Sequence, residues 1–360
     1  MRKLALLLGS LLVVASASAK EVVPAPVVVE EAPVQVIEKE VIVYRDKEEG
    51  FRPNGYVDLQ YRYYGKPEEQ KFYDDGVASN YGRIQLLGKI NMTEKQALEY
   101  RVRSYNDWND VDSSKEKGLS TTQTRLRYFY DHGLLGDSKV DFTSRIHYLH
   151  DYDNTQEAEY EARFNFVDYM FNNDYVKMTD FTLAPMYRYS WASNSQDYDN
   201  QLGLNLYTNT KLPLGFNLEL NFYATQHFYG KDQLFDNGRD KDDKNFTVDM
   251  ELYLTNEVAI YSTENSKVEL TFDGGYDPYN WSQKEMFGDT WRSEKTYNDD
   301  NSKEYLYAKL GVKYTYNVNS NITTFAHVQG EYANQKYKNE NSARDWRWRP
   351  LVTVGVKTTF

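Results

Sequence analysis

The chain has 360 residues, of which 40% are hydrophobic and 27% are charged, and its 42 basic and 54 acidic side chains give a formal net charge of −12. The mean hydropathy of −0.77 excludes a bundle of membrane-spanning helices, because beyond the N-terminus no segment approaches the roughly 18 consecutive apolar residues that each helix needs. The acidic balance argues against a nucleic-acid partner, and the absence of cysteine excludes disulfides.

The N-terminus has the pattern of a secretory signal peptide. Residues 1–19 begin with Arg2 and Lys3, continue through an apolar run and end in small residues. The apolar run of roughly ten to fourteen residues is too short for a membrane anchor. We therefore expect cleavage before Lys20 and export; losing Arg2 and Lys3 leaves 40 basic against 54 acidic residues and changes the net charge from −12 to −14.

Residues 20–50 differ in composition from the rest of the chain, with clustered prolines and valines and a stretch rich in Glu and Lys. Such composition is typical of a linker rather than a folded domain. We predict a periplasmic extension that either contacts peptidoglycan or neighbouring subunits or serves as a disordered spacer, and composition favours the spacer. Residues 51–360 are predicted to form the barrel domain.

From Gly55 onward, segments of about ten residues alternate between apolar and polar positions and are separated by turns rich in Gly, Asn, Asp, Ser and Lys. This pattern predicts an all-β fold, a transmembrane antiparallel up-and-down β-barrel of fourteen strands. An even strand number places both chain ends on the periplasmic side. The predicted strands cover residues 55–64, 81–92, 97–106, 122–132, 138–149, 158–168, 178–191, 201–211, 216–227, 245–254, 267–277, 303–316, 321–332 and 346–360.

Two connections leave the strand count open by one hairpin. Those at 169–177 and 255–266 are longer than the short turns expected on the periplasmic side. Pro185 falls on the outward face of the seventh strand, where it lacks an N–H for the ladder, and this predicts a bulge.

The polar faces of the strands predict the lining of a lumen. Strands 2 to 5 and 14 turn mainly basic residues inward and strands 9 to 11 mainly acidic ones, and a ring of fourteen sets strands 2 to 4 across from strands 9 to 11. Opposed charge across a water-filled channel orders water and favours small hydrophilic solutes; the alternative is that these charges only hydrate the lumen or pair between neighbours. The predicted basic lining is Arg83, Arg101, Arg103, Arg125, Arg127, Arg145, Arg347 and Arg349, and the acidic lining is Glu219, Asp249, Glu251, Glu269 and Asp273.

The last predicted strand also resembles a localisation signal. Its apolar face suits lipid and its polar face suits water, and the chain ends on Phe360, five residues after Gly355. A terminal aromatic residue on such a strand is typical of the signal by which the barrel assembly machinery recognises outer-membrane proteins. We therefore predict the outer membrane of a Gram-negative bacterium as the location.

Nothing in the sequence favours catalysis or a metal site. His147 and His150 are three apart on a strand and face opposite sides. His227, with Asp232 and Asp236 nearby, is the best catalytic candidate, but no nucleophile, metal or phosphate-binding motif accompanies it. We predict no enzyme, no metal and no cofactor; a hydrolase at the barrel rim is a minor alternative.

Several short segments, in this order, resemble the FomA family of major outer-membrane porins of fusobacteria. The resemblance implies a general diffusion porin, a homotrimer of barrels with about fourteen strands each, that passes small hydrophilic solutes and ions, with no catalytic residue. It also implies a secondary role as an adhesin or surface antigen, which is our alternative function, and the aromatic connection at 277–302 either constricts the pore or binds a partner. The segments are Arg52–Gly55, Thr93–Leu98, Asn173–Lys177, Gly274–Tyr279 and Asp345–Pro350.

Overall fold

The computed structural model describes residues 50–68, 81–107, 122–151, 154–192, 197–235, 238, 240–284, 306–335 and 345–360. The predicted signal peptide, nearly all of the predicted extension and most of the aromatic connection after strand 11 lie outside the described residues. One compact unit spans Pro53–Thr359 and contains every strand.

The structure confirms the predicted fold. Fourteen antiparallel strands form a closed ring in chain order, and β1 pairs with β14 to close it. The strands are β1 (Asn54–Tyr64), β2 (Tyr81–Asn91), β3 (Gln96–Asp107), β4 (Thr122–Leu134), β5 (Asp141–His150), β6 (Thr155–Asn165), β7 (Lys177–Ala192), β8 (Tyr198–Lys211), β9 (Asn217–Phe235), β10 (Asp240–Ser262), β11 (Ser266–Ser282), β12 (Leu306–Asn317), β13 (Ile322–Gln335) and β14 (Asp345–Thr359).

The wall of the barrel is apolar outside and polar inside. On β14, Trp348 and Val354 are 47% and 46% exposed, whereas Arg349 and Thr353 on the alternate face are 8% and 2% exposed. The same alternation recurs around the ring, because successive strand residues point to opposite faces. Most side chains that the structure buries are polar or charged, and the exposed ones include many large apolar residues. A water-soluble barrel would show the reverse distribution.

Gly355 on the closing strand accommodates an aromatic neighbour. A Cβ at this position would lie 2.5 Å from the ring of Phe325 and 3.0 Å from the carbonyl oxygen of Leu59. Phe325 is its cross-strand partner on β13. The absence of a side chain therefore lets this ring pack against the strand that closes the barrel.

The two uncertain connections contain no additional hairpin. β10 continues to Ser262, so only residues 263–265 separate it from β11. The connection between β6 and β7 holds a short 3-10 helix, Val167–Tyr169, and one isolated bridge between Asn172 and Lys177. The strand count of fourteen therefore stands.

The predicted bulge at Pro185 is not formed. Pro185 pairs in register with Leu204 on β8. On the β6 side, pairing stops at Glu161–Met186 and resumes at Phe164–Leu183 with no change of offset. Proline leaves one ladder hydrogen bond unmade on that side, and the flanking pairs hold the register.

Candidate functional site in the barrel lumen

The basic residues predicted on β2 to β4 share the lumen face with buried polar residues. Arg125 and Arg127 alternate with Leu126, which is 40% exposed on the outer wall, and Gln123 on their own face is 8% exposed. Arg101 lies directly opposite Arg125, and Arg103 lies opposite Gln123. This part of the wall therefore concentrates guanidinium groups on two neighbouring strands.

Amide side chains hold two of these arginines. Arg101 donates to Gln123 Oε1 at 2.8 Å, and Arg103 donates to Gln85 Oε1 at 2.5 Å. Gln123 in turn donates to Asp151 at 3.0 Å. Because glutamine is neutral, these contacts fix the direction of the arginines and leave their charge in place.

Arg145 has a different environment from the other predicted basic residues. Its Nη2 lies 2.6 Å from Glu159 Oε1 and 2.7 Å from Glu161 Oε1, and both glutamates are almost fully buried. Arg163 contacts Glu161 at 2.8 Å, and Arg188 contacts Glu159 at 2.6 Å. The three arginines and two glutamates form a paired network on β5, β6 and β7, which we call the buried ion network.

The glutamates of this network were not among the predicted lining residues. Glu157, Glu159 and Glu161 alternate on β6 with Tyr160, which is 45% exposed on the outer wall. The predicted strand began at Ala158, within this alternation, and its glutamates were not assigned to the lumen. Glu157, Glu159 and Glu161 follow at every second position and share a face with Arg163, and this spacing in the sequence indicates that they face the lumen.

The network continues onto β8 through neutral side chains. Asn205 donates to Glu161 Oε1 at 2.7 Å, and the Tyr207 hydroxyl donates to the same oxygen at 2.7 Å. The Arg163 guanidinium lies 4.3 Å from the Tyr207 ring centroid. Four successive strands are therefore bound together on the lumen side by charge-assisted hydrogen bonds.

The acidic lining lies on β9 to β11, and part of it is neutralised. Glu219 accepts from Asn221 at 2.7 Å and Glu251 accepts from Tyr223 at 2.8 Å, both neutral donors. Glu269 contacts Lys267 at 2.5 Å.

Asp273 also forms an ion pair: Lys309 Nζ on β12 lies 3.3 Å from its carboxylate oxygen. Lys313 on the same strand lies 4.0 Å from Glu269. These two β12 lysines were not among the predicted lining residues. Asp249 shares the inward face of β10 with Glu251.

The two predicted arginines of β14 lie near its first residue, at the barrel end opposite Tyr56 and Thr359. Arg349 Nε donates to Glu331 Oε1 at 3.0 Å, and Arg347 donates to the Glu68 carbonyl oxygen at 3.3 Å. Arg349 is thus charge-paired with Glu331. At the same end of the barrel, the Tyr64 ring stacks on Tyr81 with centroids 4.4 Å apart.

The ring order separates the basic and acidic parts of the lining. With β1 next to both β2 and β14, strands β2 to β4 lie across the lumen from β9 to β11. The buried ion network on β5 to β7 lies between them on one side. In this ring, β3 and β4 carry Arg101, Arg103, Arg125 and Arg127, and β9 and β10 carry Glu219, Asp249 and Glu251.

Among the described residues, His227 contacts Asp199 and Thr247 rather than Asp232, one of its two predicted partners. Its Nδ1 lies 2.7 Å from Asp199 Oδ2, and its Nε2 lies 3.1 Å from Thr247 Oγ1. Asp236 lies outside the described residues. His147 Nδ1 lies 3.5 Å from Glu159 Oε1 and thus next to the buried ion network.

The described residues contain neither a metal-binding cluster nor a long apolar helix. No group of three or more His, Cys, Asp or Glu side chains in the described ranges is arranged to hold a metal ion. No helix within the described part of the chain is long and apolar enough to cross a membrane.

Comparisons with known proteins leave the family open. No family model matches the chain, and no curated protein matches it. Among solved structures, a bacterial polysaccharide outer membrane secretin has 9% identity and a TM-score of 0.39 over 85% of this chain and 98% of its own.

Two porin structures are similar at the same level. The NanC porin has 10% identity and a TM-score of 0.33 over 84% of this chain and 100% of its own. Salmonella typhi OmpF in complex with daunomycin has 10% identity and a TM-score of 0.34 over 86% of this chain and 97% of its own. These values are too low to indicate a function. The fold is established by the closed ring of strands described above.

Proposed function

We propose that the chain is an outer-membrane porin, a passive channel for small hydrophilic solutes and ions that needs no cofactor. The observation that carries this proposal is the inverted wall, with apolar side chains outside and charged and amide side chains inside a closed ring. A closed barrel pairs the backbone groups of neighbouring strands and leaves no open sheet edge, which lipid requires. A polar interior favours water and polar solutes.

Strand length supports the membrane location. The shortest strand, β5, has 10 residues and the longest, β10, has 23. A tilted strand of about 9–11 residues crosses the hydrocarbon layer. We propose that the apolar face of each strand contacts lipid and that the excess length of β9 to β11 extends beyond it.

The chain ends fit export to the outer membrane. We propose that residues 1–19 are a cleaved signal peptide, that residues 20–50 are a periplasmic extension, and that Phe360 is read by the barrel assembly machinery. Together with the segments that resemble the FomA family, these features support a fusobacterial-type general porin that assembles as a homotrimer.

Recording from planar bilayers tests the proposed function. The purified protein should give stepwise, ohmic current increases in KCl, because a water-filled lumen conducts in proportion to voltage. Folded protein that inserts into the bilayer and gives no steps would rule out the channel. Insertion is checked separately by protease protection in vesicles of the same lipid.

A charged substitution on the outer wall tests the contact with lipid. Leu310, 58% exposed near the middle of β12, should destabilise the barrel by about 2–4 kcal/mol when replaced by arginine, because the charge then lies in hydrocarbon. Val318, 52% exposed just past the end of β12, is the matched control and should lose about 0–1 kcal/mol. Urea unfolding in lipid vesicles measures both. Equal losses would show that this wall does not contact lipid.

A further inference from the structure

The β3–β4 hairpin places like charges directly opposite each other. Arg101 and Arg125 form a cross-strand pair, and the charge of Arg125 is also repelled by Arg103 and Arg127. Like charges in directly opposed positions destabilise a sheet. Fold stability therefore does not account for this arrangement.

Arg125 and Arg127 have no carboxylate within 4 Å in the described part of the chain. Glu99, opposite Arg127 in register, lies instead 3.8 Å from Lys89. The Nε atom of Arg127 is buried and has no hydrogen-bond partner among the described residues. A buried donor without an acceptor is unfavourable and is rare in folded proteins.

On the neighbouring strands β5 to β7, the lumen arginines are paired with glutamates, as expected of residues that only stabilise the wall. Arg145, Arg163 and Arg188 each lie 2.6–2.8 Å from a glutamate oxygen. β6 supplies three alternating glutamates to β5 and β7, whereas β3 supplies one glutamate to the face it shares with β4. Arg125 and Arg127 on β4, in contrast, have no such carboxylate contact among the described residues.

We propose that Arg125 and Arg127, next to Arg101 and Arg103 on β3, form a binding site for small oxyanions, so that the channel retains phosphate- or carboxylate-bearing solutes during passage. This inference rests on the proposed porin function and adds a substrate class to it. Guanidinium groups match oxyanions because each offers parallel N–H donors in a planar fork. Rings of arginine and lysine serve this purpose in anion and phosphate pores.

The neighbouring glutamines support a site that is organised before the ligand arrives. Gln123 and Gln85 hold the guanidinium groups of Arg101 and Arg103 through neutral contacts of 2.8 Å and 2.5 Å. An oxyanion that enters would therefore meet Arg125 and Arg127 beside two guanidinium groups of fixed direction. Exchange with water in the open lumen keeps the affinity low enough for release.

Phosphate competition in planar bilayers tests the site. Current through the wild-type channel is recorded in KCl while inorganic phosphate replaces chloride at constant ionic strength, so that screening does not change. We expect the current to fall and saturate with phosphate. Arg125→Gln combined with Arg127→Gln should raise the half-saturating concentration by about tenfold or more, because two charge-assisted contacts are lost.

Two further variants separate a guanidinium site from general positive charge. Arg125→Lys combined with Arg127→Lys keeps the charge and loses the fork, and should still raise the half-saturating concentration several-fold. Lys309→Gln removes a lumen cation that already has a carboxylate partner at 3.3 Å and should leave the half-saturating concentration at the wild-type value.

Each outcome has one meaning. Wild-type saturation with the expected shifts supports the site. The site would be overturned by a strictly linear response to phosphate, by wild-type affinity in the lysine variant, or by an equal shift in Lys309→Gln. The porin function would still stand in these cases if ohmic steps appear in KCl. An absence of steps in any salt would remove the porin function itself.

Discussion

Replacing Glu161 with glutamine is expected to destabilise the barrel by about 3 kcal/mol, the low end of the cost of breaking a buried ion pair. The Glu161 side chain is fully buried and forms ion pairs with Arg145 at 2.7 Å and with Arg163 at 2.8 Å. Asn205 and Tyr207 also donate to it at 2.7 Å. Glutamine keeps the shape of the side chain but offers one acceptor oxygen and no charge. Arg163 therefore loses its carboxylate partner, and Asn205 and Tyr207 compete for the single amide oxygen.

Glu257→Gln is the matched control for this substitution. Glu257 also faces a lumen lysine, Lys313 at 3.2 Å, but its side chain is 53% exposed. An exposed pair of this kind contributes about 0–1 kcal/mol. Urea unfolding of both variants in lipid vesicles, followed by heat-modifiable gel mobility, measures the difference. Similar losses for the two variants would mean that the buried ion network does not stabilise the wall.

The sequence predicted the barrel well because the membrane imposes a strict pattern. On β14, every second residue from Trp346 to Val356 is apolar or proline, and the pairing of Leu59 with Val356 follows from closure of the ring. A strand that contacts lipid cannot vary this alternation freely. Strand number and faces are therefore readable from the sequence alone.

The ends of β9 and β10 were less predictable for the same reason. Prediction ended β9 at His227 and began β10 at Asn245, whereas the strands extend to Phe235 and start at Asp240. The segment from Lys231 to Lys244 is rich in charge and has no continuous apolar face. A strand segment outside lipid needs none, so alternation gives no signal there.

The candidate site shows the limit of single-strand patterns. Parity within β5 correctly put Arg145 on the same face as the buried His147. It gave no information about Glu161, which lies opposite Arg145 on β6. Charge pairing depends on the register between two strands, and register is set by turn geometry and by the neighbouring strands.

Removing Arg101 and Arg103 together by alanine substitution is expected to shift the reversal potential in a KCl gradient toward cation selectivity. A unit charge about 8 Å from a passing ion contributes roughly 0.5 kcal/mol in water, and salt at 0.1 M reduces this further. The contribution has opposite sign for K⁺ and Cl⁻, so the two losses together should change the ratio of their permeabilities several-fold.

The opposite wall provides the complementary variant. Glu219→Gln combined with Glu251→Gln removes two charges held by the neutral donors Asn221 and Tyr223, and should shift the reversal potential toward anion selectivity. Glu161→Gln removes a charge that is already shared between two arginines and should move the potential least. If both double variants leave the reversal potential and the single-channel conductance unchanged, the opposed walls do not act on passing ions. Opposite shifts from the two double variants would instead mean that the charges of both walls act on passing ions, whereas a lining that is merely hydrated gives no dependence on which wall loses charge.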